Sequence, residues 1–297
     1  MLMKTYRLLH AKAARSKIRV PLVWSWHIGI KPEDRFLASY PRSGSTWLRF
    51  MLFEILCGEE PGFRKIEDRL PEIQWQRGIK PILPNGGRLI KTHEQFRKEY
   101  GRAVFLVRDV RDVLLSGYAR GVEVGIVELV SKGDFDSFLQ AFMDGSALQM
   151  GSWQDHARSY LDSPTAKSGN LLVVKYEELR KNPEPQLAKI IEFLGVTPNL
   201  QVIRKAIEDN TLQQMRKRED RERKAGEESV LLSPHKSTGE EGRFVRKGSV
   251  GGWREKLTRA QLEVVNHYAG DMLQRLGYES GLSTQDKAQP ELTTASV

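Results

Sequence analysis

The sequence is poor in the residues that staple or metallate a protein: its 297 positions include one cysteine, Cys57, and six histidines. A single thiol excludes an intramolecular disulfide, and the scattered histidines leave no cluster of zinc-site spacing, so no metal site is expected and a reducing compartment is favoured. Long hydrophobic runs are missing as well. No stretch approaches the roughly 18 to 20 apolar residues needed to span a bilayer, and residues 1–10 are basic without the continuous apolar core of a signal peptide. A cytoplasmic protein without stable membrane insertion is the expectation. Negative charge is the minority sign: the net charge of +9 and the pI near 9.5 create a positive field that attracts a polyanion, a membrane surface or a highly phosphorylated small molecule.

What is present is ordinary globular material. Hydrophobic residues make up 39% and charged residues 29%, without the apolar depletion of a disordered chain. Residues 35–40 form a short apolar run that ends at a Pro/Ser/Gly cluster, and apolar residues then recur at helical spacing over 47–57, which reads as strand, loop, helix. Residues 88–91 and 103–107 read as buried strands, the second followed by a helical pattern over 109–118. Residues 170–175 read as another strand, and Pro183 opens an amphipathic helix that Gly195 closes. This alternation predicts an α/β fold, a single domain over 35–279 with a central parallel sheet flanked by helices, and ligands at the carboxyl ends of the strands. Residues 1–34 are expected as a basic arm that packs Trp24 and Trp26 on the body, and 280–297 as a disordered tail. Residues 216–224 carry six basic and three acidic side chains, and polar sequence continues to 249 with little apolar periodicity, so a mobile loop is expected there. A last helix is expected over 258–276.

The loop after the first strand reads Tyr40-Pro41-Arg42-Ser43-Gly44-Ser45-Thr46-Trp47. Backbone N–H groups and a helix dipole at this position can hold an anion. Gly44 lets the backbone approach closely, Ser45 and Thr46 add hydroxyl donors, and Arg42 adds a permanent charge with several donors. The G-x-x-x-x-G-K-[ST] spacing of a Walker loop is absent, and an N-capping turn rich in Ser and Thr accounts for the same residues on their own. Lys91-Thr92-His93 ends a predicted strand, so His93 can reach into a cleft as a general base, although a lone histidine is more often structural. Arg108 ends the next strand and Ser116 lies two turns along the following helix, so both can face a second anion; in isolation, pairing of Arg108 and Arg111 with Asp109 and Asp112 on an exposed helix is the favoured reading.

The ordered set of segments resembles the sulfotransferases that use 3′-phosphoadenosine 5′-phosphosulfate (PAPS), most closely the soluble cytosolic type. The family's loop Y-P-K-S-G-T-T-W is kept with Arg42 for Lys and Ser45 for Thr. Lys91-Thr92-His93, Arg108 with Ser116, Gly151-Ser152-Trp153 with His156, Tyr176-Glu177-Glu178-Leu179, Lys181-Asn182-Pro183, and Arg246-Lys247-Gly248 with Gly251 and Trp253 follow in the family's order. The resemblance implies a P-loop-like nucleotide-binding architecture and PAPS as co-substrate. It implies that Arg42, Ser43, Gly44, Ser45, Thr46 and Trp47 wrap the 5′-phosphosulfate, and that Arg108, Ser116, Arg246, Lys247 and Gly248 hold the 3′-phosphate. Trp47, Tyr176, Thr211 and Leu212 neighbour adenine. His93, Lys91 and Arg42 are the implied catalytic groups, with His156 the alternative base. Three departures stand out: Leu212 occupies the family's aromatic position in T-S-F-x-x-M, Gly252 replaces the Asp of R-K-G-x-x-G-D-W, and the dimer motif K-x-x-x-T-V-x-x-x-E reads Arg254, Thr258, Arg259 and Glu263, which puts the family homodimer in doubt.

A P-loop kinase or NTPase would need the missing lysine motif. Nucleic-acid binding draws on the basic charge, but residues 216–224 are mixed in sign and carry no interleaved aromatics, so no nucleic-acid partner is expected. The acceptor, expected to be a small molecule, meets loops within 58–87, 119–150 and 225–245, and its identity is not readable from spacing.

Overall fold

A computed structural model describes residues 19–124, 133–227, 229, 232, 245 and 248–282. Arg246 and Lys247 of the expected second phosphate grip lie outside the described residues, as do 1–18 of the expected arm and 283–297 of the expected tail.

Four short strands, β1 (Arg35–Ser39), β2 (Leu89–Thr92), β3 (Ala103–Val107) and β4 (Leu171–Lys175), form one parallel sheet in the order β2-β1-β3-β4. The near-continuous apolar character of β1 and β3 follows from burial on both faces, whereas the outer strand β4 alternates buried with half-buried residues. Along β1, Phe36 and Ala38 enter one core with Ala103, Phe105 and Val107 of β3, while Leu37 enters the opposite core with Val104 and Leu106. The register pairs Ala38 with Thr92, Ser39 with Leu106, and Val107 with Lys175, so the four carboxyl ends are nearly level. The residues that follow them, Tyr40, His93, Arg108 and Tyr176, therefore leave the sheet along one edge. Because β1 leads to β2 on one side and β3 lies on the other, that edge contains the switch point at which such sheets bind ligands.

Helix α1 (Arg19–Trp26) precedes the sheet; Trp26 packs on the core, but Trp24 is 65% exposed, so only one of the two tryptophans is packed as expected. Helix α2 (Ser45–Cys57) starts directly after the anion-type loop and ends at Gly58, whose left-handed backbone lets its N–H reach the Glu54 carbonyl. Helix α3 (Val110–Val124) follows β3, and α4 (Arg259–Arg275), opened by a Thr258/Gln261 capping box, closes the domain.

The expected mobile loop begins differently. Residues 212–224 form helix α5 (Leu212–Lys224), capped by Thr211, whose hydroxyl accepts from the Gln214 N–H. Its buried face is largely charged, which is why apolar periodicity misses it: Glu222 accepts the Phe63 N–H at 2.9 Å, Glu219 accepts the Val245 N–H at 3.0 Å and pairs with Arg223 at 3.0 Å, and Arg218 donates to Asn210 at 3.1 Å. Among the described residues no helix is long and apolar enough to cross a membrane.

Candidate active site

A cleft of about 290 Å³ opens at the carboxyl edge of the sheet. Arg42, Gly44, Ser45, Thr46, Trp47, Lys91, His93, Arg108, Ser116, Tyr176, Leu212 and Gly248, all singled out in the sequence, line it together. Two others do not. Ser43 is buried in the turn with its hydroxyl lacking a hydrogen-bond partner, and Thr211 is spent on capping α5.

At one end the chain gathers cations around neutral oxygens. Arg42, with φ at 71°, is the non-glycine residue with left-handed backbone among the described residues, and strain of this kind gathers at functional sites. Its Nε donates to the Ser116 hydroxyl at 3.1 Å, while Arg108 donates to the Arg42 carbonyl at 3.1 Å and the Ser249 carbonyl at 2.7 Å. Asp112 stands 3.9 Å from the same guanidinium. The pairing of Arg111 with Asp109 is real, at 2.7 Å, but it is buried against the Trp253 ring instead of lying on an exposed helix.

Two aromatic rings adjoin this group, the Tyr176 ring lying 4.6 Å from the Arg108 guanidinium. Trp47 is oriented by its indole N–H, which donates to the Asn210 carbonyl at 2.9 Å, and meets Tyr176 edge to face at 6.1 Å. The Tyr176 hydroxyl donates to the Gly248 carbonyl at 3.1 Å, tying the segment after the undescribed residues to the sheet edge. Gly44 is obligatory here: its φ is 93°, and an added Cβ would lie 2.5 Å from the Tyr176 ring.

At the other end stand His93, Lys91 and Glu72. His93 Nδ1 is 2.6 Å from the Ser39 carbonyl, an acceptor only, so Nδ1 carries the proton and Nε2 keeps its lone pair. Burial, then the adjacent Lys91 charge, lowers its pKa to about 3, which keeps the ring neutral. His156, the alternative base, is fully buried, and its Nε2 donates to the His93 carbonyl at 3.1 Å; it braces the His93 main chain from behind. Lys91 Nζ lies 2.8 Å from Glu72 Oε1, and Arg49 stands 3.7 Å from the same oxygen. Although burial pushes the Glu72 carboxyl upward, Lys91 and Arg49 together hold it well below the usual carboxylate range.

Sequence reasoning missed Glu72 and Arg180. Arg180 lines the cleft with its guanidinium 5.2 Å from the Trp47 ring, and its place one helical turn beyond Tyr176 was a usable signal. Glu72 carried none, because it reaches Lys91 through an isolated parallel bridge outside any strand. Among the described residues no group of three or more His, Cys, Asp or Glu side chains is placed to hold a metal ion.

The family model for the sulfotransferase domain matches residues 32–277, and the chain belongs to that family. Among curated relatives, mouse (Mus musculus) sulfotransferase 2A2 is 28% identical over 245 residues, covering 79% of this chain and 82% of its own length. Cytosolic sulfotransferase 1 of Danio rerio is 28% identical, with 78% and 80% covered. Among solved structures, retinol dehydratase in a complex with retinol and PAP superposes with a TM-score of 0.64 at 19% identity, covering 85% of this chain and 86% of that one. Mouse sulfotransferase SULT7A1 complexed with PAP gives 0.59 at 22% identity, covering 85% and 88%.

Proposed function

We propose that this sulfotransferase uses PAPS as its sulfuryl donor and a hydroxyl or amine of a small-molecule acceptor as its target, by in-line displacement with His93 as general base. The observation that carries the reading is the make-up of one cleft: cationic side chains and an aromatic pair line it together, and a histidine with a fixed tautomer sits beside a lysine in the same wall. The residues fit a bisphosphorylated adenine nucleotide. The first N–H groups of α2 with Arg42, Ser45 and Thr46 hold the 5′-phosphosulfate. Arg108, Ser116 and Gly248, joined by Arg246 and Lys247, hold the 3′-phosphate. Trp47, Tyr176 and Leu212 take the base.

In the chemical step, His93 Nε2 accepts the acceptor proton as the new S–O (or S–N) bond forms. The S–O bond to the 5′-phosphate breaks, and its electron pair stays on that phosphate oxygen, where the Lys91 ammonium offsets the growing charge. Arg42 supports the same charge. The related complexes containing PAP, in one case with retinol, support the donor and a small acceptor, and a cytoplasmic setting belongs to the same proposal. The family-type homodimer is not part of it, since Arg259 stands where the dimer motif has Val.

The test is to incubate the protein with ³⁵S-labelled PAPS and a panel of phenols, steroids, aliphatic alcohols, amines and oligosaccharides. Label transfer that disappears in Lys91→Ala and His93→Ala supports the reading. Absence of transfer to every class, with the bisphosphate bound normally, rejects the acceptor assignment.

A further inference from the structure

We propose that Glu72 is a positioning residue, the counter-ion that keeps the Lys91 ammonium protonated and fixed on the cleft wall beside His93. The proposal rests on the role given to Lys91 above. The main chain first brings the two residues together: the Lys91 N–H donates to the Pro71 carbonyl at 2.8 Å, and Glu72 bridges Lys91 in parallel. The side chains then close the pair, with Glu72 Oε1 accepting from Lys91 Nζ at 2.8 Å and Glu72 Oε2 accepting from Gln74 at 2.9 Å. Both carboxylate oxygens are therefore held. Because the pair is carried by a backbone bridge, its geometry does not depend on a long mobile loop.

Arg49 makes the counter-ion necessary. Its side chain is 1% exposed, one nitrogen donates to the Ile66 and Leu70 carbonyls, and the other two lack hydrogen bonds, Nη1 standing 3.7 Å from Glu72. Glu67 also acts on Arg49 electrostatically. The charged and titratable groups around Lys91 are thus Glu72 from the segment before β2, Arg49 from α2 and the neutral His93 beyond the strand end. Burial lowers the Lys91 pKa, Glu72 raises it, and Arg49 lowers it again. Removing the Glu72 carboxylate leaves the buried Lys91 ammonium under the influence of Arg49 without its own counter-ion. A guanidinium does not give up its proton in a protein, so the proton lost is that of Lys91. A neutral lysine cannot offset charge on a leaving oxygen.

The same wall holds a carboxylate that is 23% exposed, so water and ligand reach its edge while the pair stays partly desolvated. An ion pair in this setting is stronger than one on the surface, yet deleting one member costs far more than deleting both. The asymmetry supplies the test. Glu72→Gln keeps the shape and the Gln74 contact while removing the charge, and Arg49→Met removes the opposing charge at similar volume. The two substitutions should move Lys91 in opposite directions.

The experiment is an NMR titration of the full chain with isotope-labelled lysine, the Lys91 signal being assigned by its loss in Lys91→Arg, run alongside the pH dependence of kcat. In Glu72→Gln the Lys91 midpoint should fall by about one pH unit or more, roughly tenfold in the protonation equilibrium. In Arg49→Met it should rise. The alkaline limb of kcat should follow the midpoint in both, while KM for PAPS stays within about twofold. Glu72→Asp should restore part of the shift. An unmoved midpoint in Glu72→Gln, with adenosine 3′,5′-bisphosphate still bound, overturns the proposal; should that variant not fold, an unmoved midpoint in Arg49→Met does so. A shifted midpoint with an unshifted kcat profile upholds the counter-ion and removes Lys91 from the chemical step, which separates this inference from the mechanism it rests on.

Discussion

The two ends of the cleft carry positive charge in different ways. Near Arg108, guanidinium groups are parked on neutral oxygens, those of Ser116, Arg42 and Ser249, with the Asp112 carboxylate no closer than 3.9 Å. Near His93, the lysine is locked to a carboxylate at 2.8 Å. On the proposed reading, an anion arriving at the first end replaces neutral acceptors with anionic ones and gains affinity. At the second end it would compete with Glu72, so on the same reading little ground-state affinity is available and the charge serves the moment at which negative charge builds. On the proposed mechanism, binding is weighted toward Arg108 and chemistry toward Lys91 and His93, with Arg42, which is hydrogen-bonded to Ser116, serving both. Interactions that strengthen only in the transition state raise turnover, whereas those made equally throughout raise affinity alone.

The sharpest way to break this comparison is at the chemical end. His93→Ala and Lys91→Ala should each lower kcat by roughly a hundredfold or more, the range of positioned acid–base and electrostatic groups, with the Kd for the bisphosphate nearly unchanged. The effect of His93→Ala should be larger on an aliphatic alcohol than on an acidic phenol, which ionises without help. A pH profile adds a sign. With His93 as the proposed base, activity should be lost as pH falls through its pKa, which burial and Lys91 depress to about 3, so the acidic limb should lie well below the usual histidine range. An acidic limb near pH 6.5 would contradict the site electrostatics.

At the other end the effect should move from kcat to affinity. Arg108→Ala removes one charge-assisted contact and should weaken adenosine 3′,5′-bisphosphate by about 1.5 to 3 kcal/mol, roughly tenfold to a hundredfold, while leaving AMP nearly unaffected. Calorimetry with both nucleotides checks it. Equal losses for the two would mean that Arg108 acts by holding the Arg42 and Ser249 carbonyls and not by meeting a phosphate. A somewhat smaller effect is expected from Gly44→Ala: the new Cβ would lie 2.5 Å from the Tyr176 ring at a φ of 93°, strain worth about 1 to 3 kcal/mol. Thermal unfolding should register it, together with weaker nucleotide binding as the ring is displaced.

Sequence legibility followed the source of each element's stability. β1 and β3 were readable to within a residue because apolar runs buried on both faces leave a plain signal, β4 because its run stays apolar although one face is only half-buried, and the residues after their ends were readable because parallel sheets place function there. Helix α5 was not readable, since its buried face is made of Arg218, Glu219 and Glu222, whose partners lie elsewhere in the chain. Glu72 escaped for the same reason: its importance lies in a bridge to Lys91 and in the proximity of Arg49, both properties of tertiary structure. Trp24 was expected to pack with Trp26, yet nothing in the pattern of a basic segment distinguishes the ring that is covered from the one that is not.

The smallest expected effect lies between the two ends, and it sharpens their separation. Leu212 occupies the position at which the resemblance expects an aromatic ring, it lines the cleft, and it opens α5 directly after the Thr211 cap. A leucine there gives adenine apolar contact without a π-face. Since Leu212 is only partly buried and borders open cleft, Leu212→Phe can be accommodated without overpacking the core. The gained ring should strengthen bisphosphate binding by about 1 kcal/mol, roughly fivefold. AMP should gain by the same factor, because both nucleotides carry the same base. Turnover at saturating PAPS should stay unchanged or fall slightly through slower product release, since the ring touches neither the lysine nor the histidine. A gain confined to the bisphosphate would place Leu212 beside the 3′-phosphate and not the base, and a large change in kcat would mean that the two ends are coupled through α5.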